Sequence, residues 1–151
     1  MRKIISDTSC LIVLSRIRRL NLLKDMYGEI WIPEKVKEEF GEPLKTWVQI
    51  KKVRNQKAVR ILELHLDPGE SEVIALGLET EDSLLILDDN KARNSAKGLG
   101  LKVTGTLGII LKAKEKKIIT SVSEIIEDLT RENFRISNEL KREMLKLAKE
   151  K

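Results

Sequence analysis

Five residues of this 151-residue chain have both the type and the placement to do chemistry: Asp7, Glu39, Glu70, Asp88 and Asp89. All are carboxylates, and each falls at or beside the boundary of an expected element. Asp7 ends the short apolar run "KIIS" and opens "DTSCLIVLSRI". Asp, Thr and Ser are all favourable helix N-caps, so the local alternative for Asp7 is a simple helix stop. Glu39 lies in "PEKVKEEF", where Val36 and Phe40 set the inward face, Glu39 falls on its flank and Glu38 points to water. In "DPGESEVIALG", Asp67 and Glu70 match the D-x-x-E form related to a capping box, with Pro68 at the first helical position. Glu70 also shares a face with Val73, Ile74 and Gly77, while Glu72 is expected to face away. Asp88 and Asp89 close "SLLILDDNKAR". A turn needs only one such residue, and two adjacent carboxylates repel each other, so the pair favours a nearby cation.

Oxygen ligands without His or Cys suit Mg²⁺ or Mn²⁺. Such ions activate water and stabilise charge building on a phosphoryl group. The other candidate ligands fit this chemistry less well. His65, the one histidine, reads as surface or edge packing on a helix. Cys10, the one cysteine, reads as a small core hydrophobe and excludes an internal disulfide or a cysteine-based metal site.

For those acids to meet, the elements must bring them to one edge. Residues 2–6, "EIWIP", "SLLIL" and "LKVTG" read as strands, with "WVQIKKV" as a further extended piece in an otherwise irregular 41–54. Helices are expected at about 9–17, 20–27, 34–40, 55–66, 68–79, 91–98, 106–115, 121–130 and 137–150. Strands that are continuous apolar runs, alternating with helices, predict a mostly parallel sheet covered on both faces. Ligands then bind beyond the carboxyl ends of the strands, where strand order reverses. The length is that of one domain, with 120–151 as its C-terminal helical part.

Composition narrows the class. At 41% hydrophobic and 35% charged, the chain is expected to be globular. No apolar stretch approaches the roughly 20 residues that span a bilayer, and the run after "MRK" is broken at Ser6 and Asp7, so no signal peptide is expected. The expected location is the cytoplasm. A net charge of +5 permits an anionic partner. Only Gln49 and Gln56 accompany 29 basic and 24 acidic residues, a composition that leans toward a thermophile.

The segments "IISDTSCLIVLSRI", "WIPEKVKEEF", "DPGESEVIALG", "LLILDDNKARNSAKGLGLKVTGTLGIILKAKEKKII" and "FRISNELKREML" span nearly the whole chain. In that order they resemble the PIN-domain nucleases, most of all the branch found in bacterial and archaeal toxin–antitoxin operons and related stand-alone proteins. The resemblance implies a PIN-like three-layer α/β/α fold, metal-dependent hydrolysis of RNA phosphodiesters, and an acidic quartet holding Mg²⁺ or Mn²⁺. Carried over by position, the quartet is Asp7, Glu39, Glu70 and Asp89, with Asp88 as neighbour or substitute and Ser9 as a polar partner of Asp7. Two departures stand out: Glu70 where many members carry Asp, and Leu87 where many carry Thr. A homodimer and an antitoxin partner are further implications.

Lys91, Arg93, Lys97 and Arg16 are candidates for drawing in an RNA backbone, and Thr104, Gly105 and Thr106 for lining the same edge. Phe134, Ile136, Leu140, Met144 and Leu147 recur at helical spacing, either to close the fold or to face a partner. Two other functions remain compatible with the sequence. One is a catalytically inactive PIN scaffold that binds RNA or a partner. The other is a response-regulator-like phosphoacceptor domain, which would need its acidic pair after the first strand, where only Asp7 stands.

Overall fold

In the computed structural model, which describes residues 2–150, the first strand β1 (Lys3–Ser6) leads through Asp7 into α1 (Thr8–Arg16) and α2 (Asn21–Tyr27). Then come β2 (Ile30–Ile32), α3 (Glu34–Phe40), β3 (Val48–Ile50), α4 (Gln56–Leu62) and α5 (Pro68–Leu78). The second half runs β4 (Ser83–Ile86), α6 (Asn90–Gly98), β5 (Lys102–Thr104), α7 (Thr106–Glu115), α8 (Val122–Arg131) and α9 (Asn138–Leu147).

Side-chain caps set most of the helix starts. Asp7, Asn55, Asp67, Asp89, Ser121 and Ser137 each accept a bond from an amide in the first turn of the following helix. Helix α3 ends on Gly41 at φ 68, a left-handed position that favours glycine.

The five strands form one sheet in the order β3-β2-β1-β4-β5, and every pairing is parallel. Helices on both faces make a three-layer α/β/α arrangement, as the alternation of apolar runs and helices predicts. Chain order reverses direction between β1 and β4, which makes the carboxyl ends of these two strands the switch point. The register there is in step: Ile4, Ile5 and Ser6 lie opposite Leu84, Leu85 and Ile86. Ile5, Leu85 and Ile86 are fully buried, with Ile30, Ile32, Leu14 and Leu23. Helix α5 crosses the Ile5/Leu85 side so closely that a Cβ on Gly77 would lie 2.8 Å from Leu85.

Periodicity carries the helix expected over 55–66 too far, since α4 ends at Leu62, and it misleads again in the tail. Asn133 adopts a left-handed φ of 63° and Ser137 caps a new helix, so Phe134 and Ile136 belong to the connection and not to α9. Met144 is buried, whereas Leu147 is 72% exposed. A polar anchor joins the buried Met144 and Ala148 in fastening this end. Glu150 accepts bonds from the amides of Val122 (2.8 Å) and Ser123 (3.1 Å) and from Lys114 Nζ (3.0 Å). It thereby joins the chain's end to the start of α8. Among the described residues no helix is long and apolar enough to cross a membrane.

Candidate active site

Asp7 sits at the end of the central strand, 3% exposed, with both carboxylate oxygens engaged by backbone amides. Oδ1 accepts from Cys10 N (3.0 Å), which makes Asp7 the cap of α1. Oδ2 accepts from Asp88 N (2.9 Å), on the neighbouring strand end. Asp7 N in turn donates to Ile86 O at 3.0 Å. The helix-stop reading is therefore correct but incomplete, because the same carboxylate also staples β1 to the β4 terminus at the switch point.

Asp88 is oriented from the third strand end. Its Oδ1 accepts from Thr106 N (2.7 Å) and its Oδ2 from Thr106 Oγ1 (2.6 Å). Thr106 is fully buried at the start of α7. The intervening Gly105 is closely hemmed in, since a Cβ there would sit 3.0 Å from Asp88 Oδ1 and 3.1 Å from the Arg93 guanidinium. Asp89 turns the other way and caps α6 through Ala92 N (3.0 Å). The doublet thus divides its work: Asp88 faces Asp7 and β5, and Asp89 faces the side of Glu70.

Glu70 forms the capping box with Asp67, its amide donating to Asp67 Oδ1 (2.8 Å) and its Oε1 accepting from Asp67 N (3.3 Å). Glu39 is exposed, and its Oε1 accepts from Thr8 Oγ1 at 2.5 Å. Helix α5 meets α3 at Gly69, where an added Cβ would overlap the Glu39 carboxylate. Thr8 is a partner the sequence reasoning missed. Its only signal in the sequence is membership in the Asp-Thr-Ser turn, which points equally to Ser9. Ser9 is exposed and bonds to none of the acids. Glu72 is half-buried, and its Oε1 accepts from Lys35 N (3.1 Å) in the first turn of α3, tying α3 to α5.

The electrostatics show how crowded these charges are. Burial, and then the charge of Asp88, push Asp7 from 3.8 up to about 8 against the pull of its two amide bonds, with Glu70 adding to the rise. Burial and the charge of Asp67 push Glu70 from 4.5 up to about 7, with further contributions from Asp89 and Glu39. Each of the five acids is thus electrostatically linked to at least one other. Asp7 and Asp88 also raise the buried Cys10 thiol after burial itself, partly offset by bonds to Thr106 and Ser6. Cys10 is a core residue lying behind the acids.

The donor set fits a hard divalent cation, being all carboxylate oxygens destabilised by mutual repulsion in a protein that is otherwise basic. Among the described residues, however, no three such side chains stand close enough together to hold an ion as they lie. Glu39 and Glu70 are drawn aside by Thr8 and Asp67, and Asp89 by its own helix.

The cations are distributed unevenly. Arg93 is half-buried beside Gly105, next to the acids. Lys91 is exposed in the first turn of α6, whereas Lys97 is exposed in its last turn, away from the edge. Arg16 ends α1 at the opposite end from Asp7. Thr104 ends β5, and Gly105 is the residue before α7. His65 is exposed in the turn after α4.

No curated protein and no solved structure gives a significant match to the chain. A family model described as a PIN domain matches residues 3–150. With its parallel 3-2-1-4-5 sheet and acids at the switch point, the chain belongs to the PIN-domain family.

Proposed function

We propose that this protein is a divalent-metal-dependent endoribonuclease in which Asp7, Asp88, Glu70 and Glu39 hold Mg²⁺ or Mn²⁺, with Asp89 completing the acidic edge. PIN domains are generally nucleases and typically use divalent metals. The observation that carries the reading is the crowding of Asp7, Asp88 and Glu70 at the switch point, where burial and mutual charge raise Asp7 to about 8. A cation relieves that repulsion, and the carboxylates can then ionise together.

When bound, a divalent ion supplies an activated water and stabilises charge on the phosphoryl group. The chain's own residues do the positioning. Asp7 is fixed by two backbone amides and cannot swing. Asp88 is fixed by Thr106 on the β5 side. Glu39 and Glu70 are the adjustable members, one on each of two packed helices. In this reading Arg93, beside Gly105, contacts a phosphate that approaches Asp88, and Lys91 extends that contact along α6.

By the same resemblance, we assign the chain to the toxin type, with an antitoxin protein and a second copy of itself as partners. Cleavage of single-stranded RNA with Mn²⁺ or Mg²⁺ tests the activity. The native chain should cleave, excess EDTA should abolish cleavage, and D7N should fall to background while keeping its circular dichroism spectrum. Equal cleavage by native and D7N protein would refute the assignment, and no cleavage under any metal would favour the inactive scaffold.

A further inference from the structure

A second site lies on the α5 side of the sheet, well away from the acids. Trp31 is in register with Ile5 of β1 and Gln49 of β3. Paired neighbours in a sheet project to one side, as do alternate residues along a strand. Lys3, Trp31 and Lys51 therefore leave the sheet together, on the side where α5 packs over Leu85. Helix α5 lies over β1 and β4, so the β2–β3 half forms the floor of a cleft of about 600 Å³. Its lining includes Lys3, Trp31, Lys51, Lys52 and Arg54, with Leu76 as an apolar wall. That volume is within the usual range for small-ligand sites. Glu70 and Glu79 mark opposite ends of α5, about 14 Å apart along its axis at roughly 1.5 Å per residue.

The cleft is an aromatic platform ringed by cations. Lys3 Nζ lies 5.1 Å and Lys51 Nζ 4.8 Å from the Trp31 ring centroid. Three acids also line it, Glu79, Glu81 and Asp82. Glu79 is already satisfied, accepting from the amides of Arg54 (2.9 Å) and Asn55 (3.1 Å) and pairing with the Arg54 side chain at 3.9 Å. Glu81 and Asp82 are exposed on the rim. Such a site suits a ligand that is flat and aromatic at one end, with N–H donors, and anionic at the other. A nucleotide unit has this composition. The base stacks on Trp31, its exocyclic amines meet Glu81 or Asp82, and the lysine tips leave the ring for the adjoining phosphate.

We propose that the Trp31 cleft is an accessory site for single-stranded RNA, holding one nucleotide of a strand whose continuation runs along α5 to the acidic edge. The proposal rests on the ribonuclease reading for the identity of the ligand, but it is tested by binding, without metal. A short, end-labelled single-stranded RNA is titrated in EDTA by fluorescence anisotropy against the native protein, W31A, W31F and the double variant K51E/K52E. Losing one base stack should weaken binding roughly fivefold or more in W31A, while W31F stays close to native. K51E/K52E should weaken binding and make it less salt-dependent. The lysine pair, Lys52 exposed and Lys51 half-buried, keeps the test valid if W31A fails to fold.

Native-like binding by W31A, or by K51E/K52E if W31A does not fold, would overturn the proposal, even if cleavage is normal. So would UMP or AMP saturating the cleft without competing with the oligonucleotide, because the site would then take free nucleotide. Conversely, Trp31-dependent binding by a chain that never cleaves would sustain the accessory site and refute the nuclease reading, so the two claims fail separately.

Discussion

At the residue scale, Asp7 combines two roles that usually pull apart. As a cap and strand staple it stabilises the fold, and as a buried anion beside Asp88 it costs stability. The sign follows from its folded value of about 8 against an ordinary 3.8. Between about pH 4 and pH 8 the folded state keeps a proton that the unfolded state has released, so stability without metal declines as pH rises through that window. Thermal melts in EDTA should therefore show a falling Tm from pH 5 to pH 9. Added Mn²⁺ should raise Tm more at pH 8 than at pH 6, and a pH-independent metal effect would contradict the coupling. Thr8 and Thr106 are positioning residues for Glu39 and Asp88. T8V and T106V should each lower metal affinity or cleavage by about tenfold, read as a shift in the metal concentration needed for half activity. The acids themselves were legible from residue type and boundary position. Asp67, the capping-box partner of Glu70, was legible too, but the bond of Thr8 to Glu39 was not, because a threonine's bond to a residue 31 positions away leaves no local pattern.

At the element scale, two glycines on α5 do different work and separate function from stability. Gly69 gives the Glu39 carboxylate room, and the atoms that crowd it belong to the end of a flexible, exposed side chain. G69A should therefore fold at least as well as native, gaining up to about 1 kcal/mol from helix propensity. It should still cleave more weakly, because Glu39 is pushed from the edge. Urea melts and cleavage rates on the same preparation would reveal this split, and a variant with native rate would show that Glu39 does not need that place. Gly77 instead packs against Leu85 in the core. G77A should lose about 1–3 kcal/mol in the same melts, with little change in activity of the folded fraction. Element order was readable from runs such as "SLLIL" and from caps such as Asp67. β3 was legible only as an extended piece of an irregular stretch, since three residues with one fully polar member carry little periodicity. The tail stripe misled because spacing alone cannot see that Asn133 breaks the chain's path before Ser137 restarts a helix.

At the scale of the whole molecule, the parallel 3-2-1-4-5 order brings together acids separated by more than eighty positions in the chain. The sequence implied a sheet edge, and the topology makes that edge a site by putting β1 beside β4. The same sheet carries a basic aromatic cleft at the other end of α5, so one helix spans both surfaces. The chain's end is fastened by Glu150, whose carboxyl lies below its ordinary 4.5: burial pushes it up, but the Val122 and Ser123 amides and Lys114 more than offset this. Its contribution is present above that ordinary value and lost as pH falls below it, opposite in sense to Asp7. Calorimetric titration of the metal-free protein with Mn²⁺ tests most directly whether the converging carboxylates form a cation site. The native chain should bind with saturation and release protons near pH 7, and D7N should lose that binding while remaining folded. Identical isotherms for the two proteins, or no saturable binding by the native chain, would contradict it.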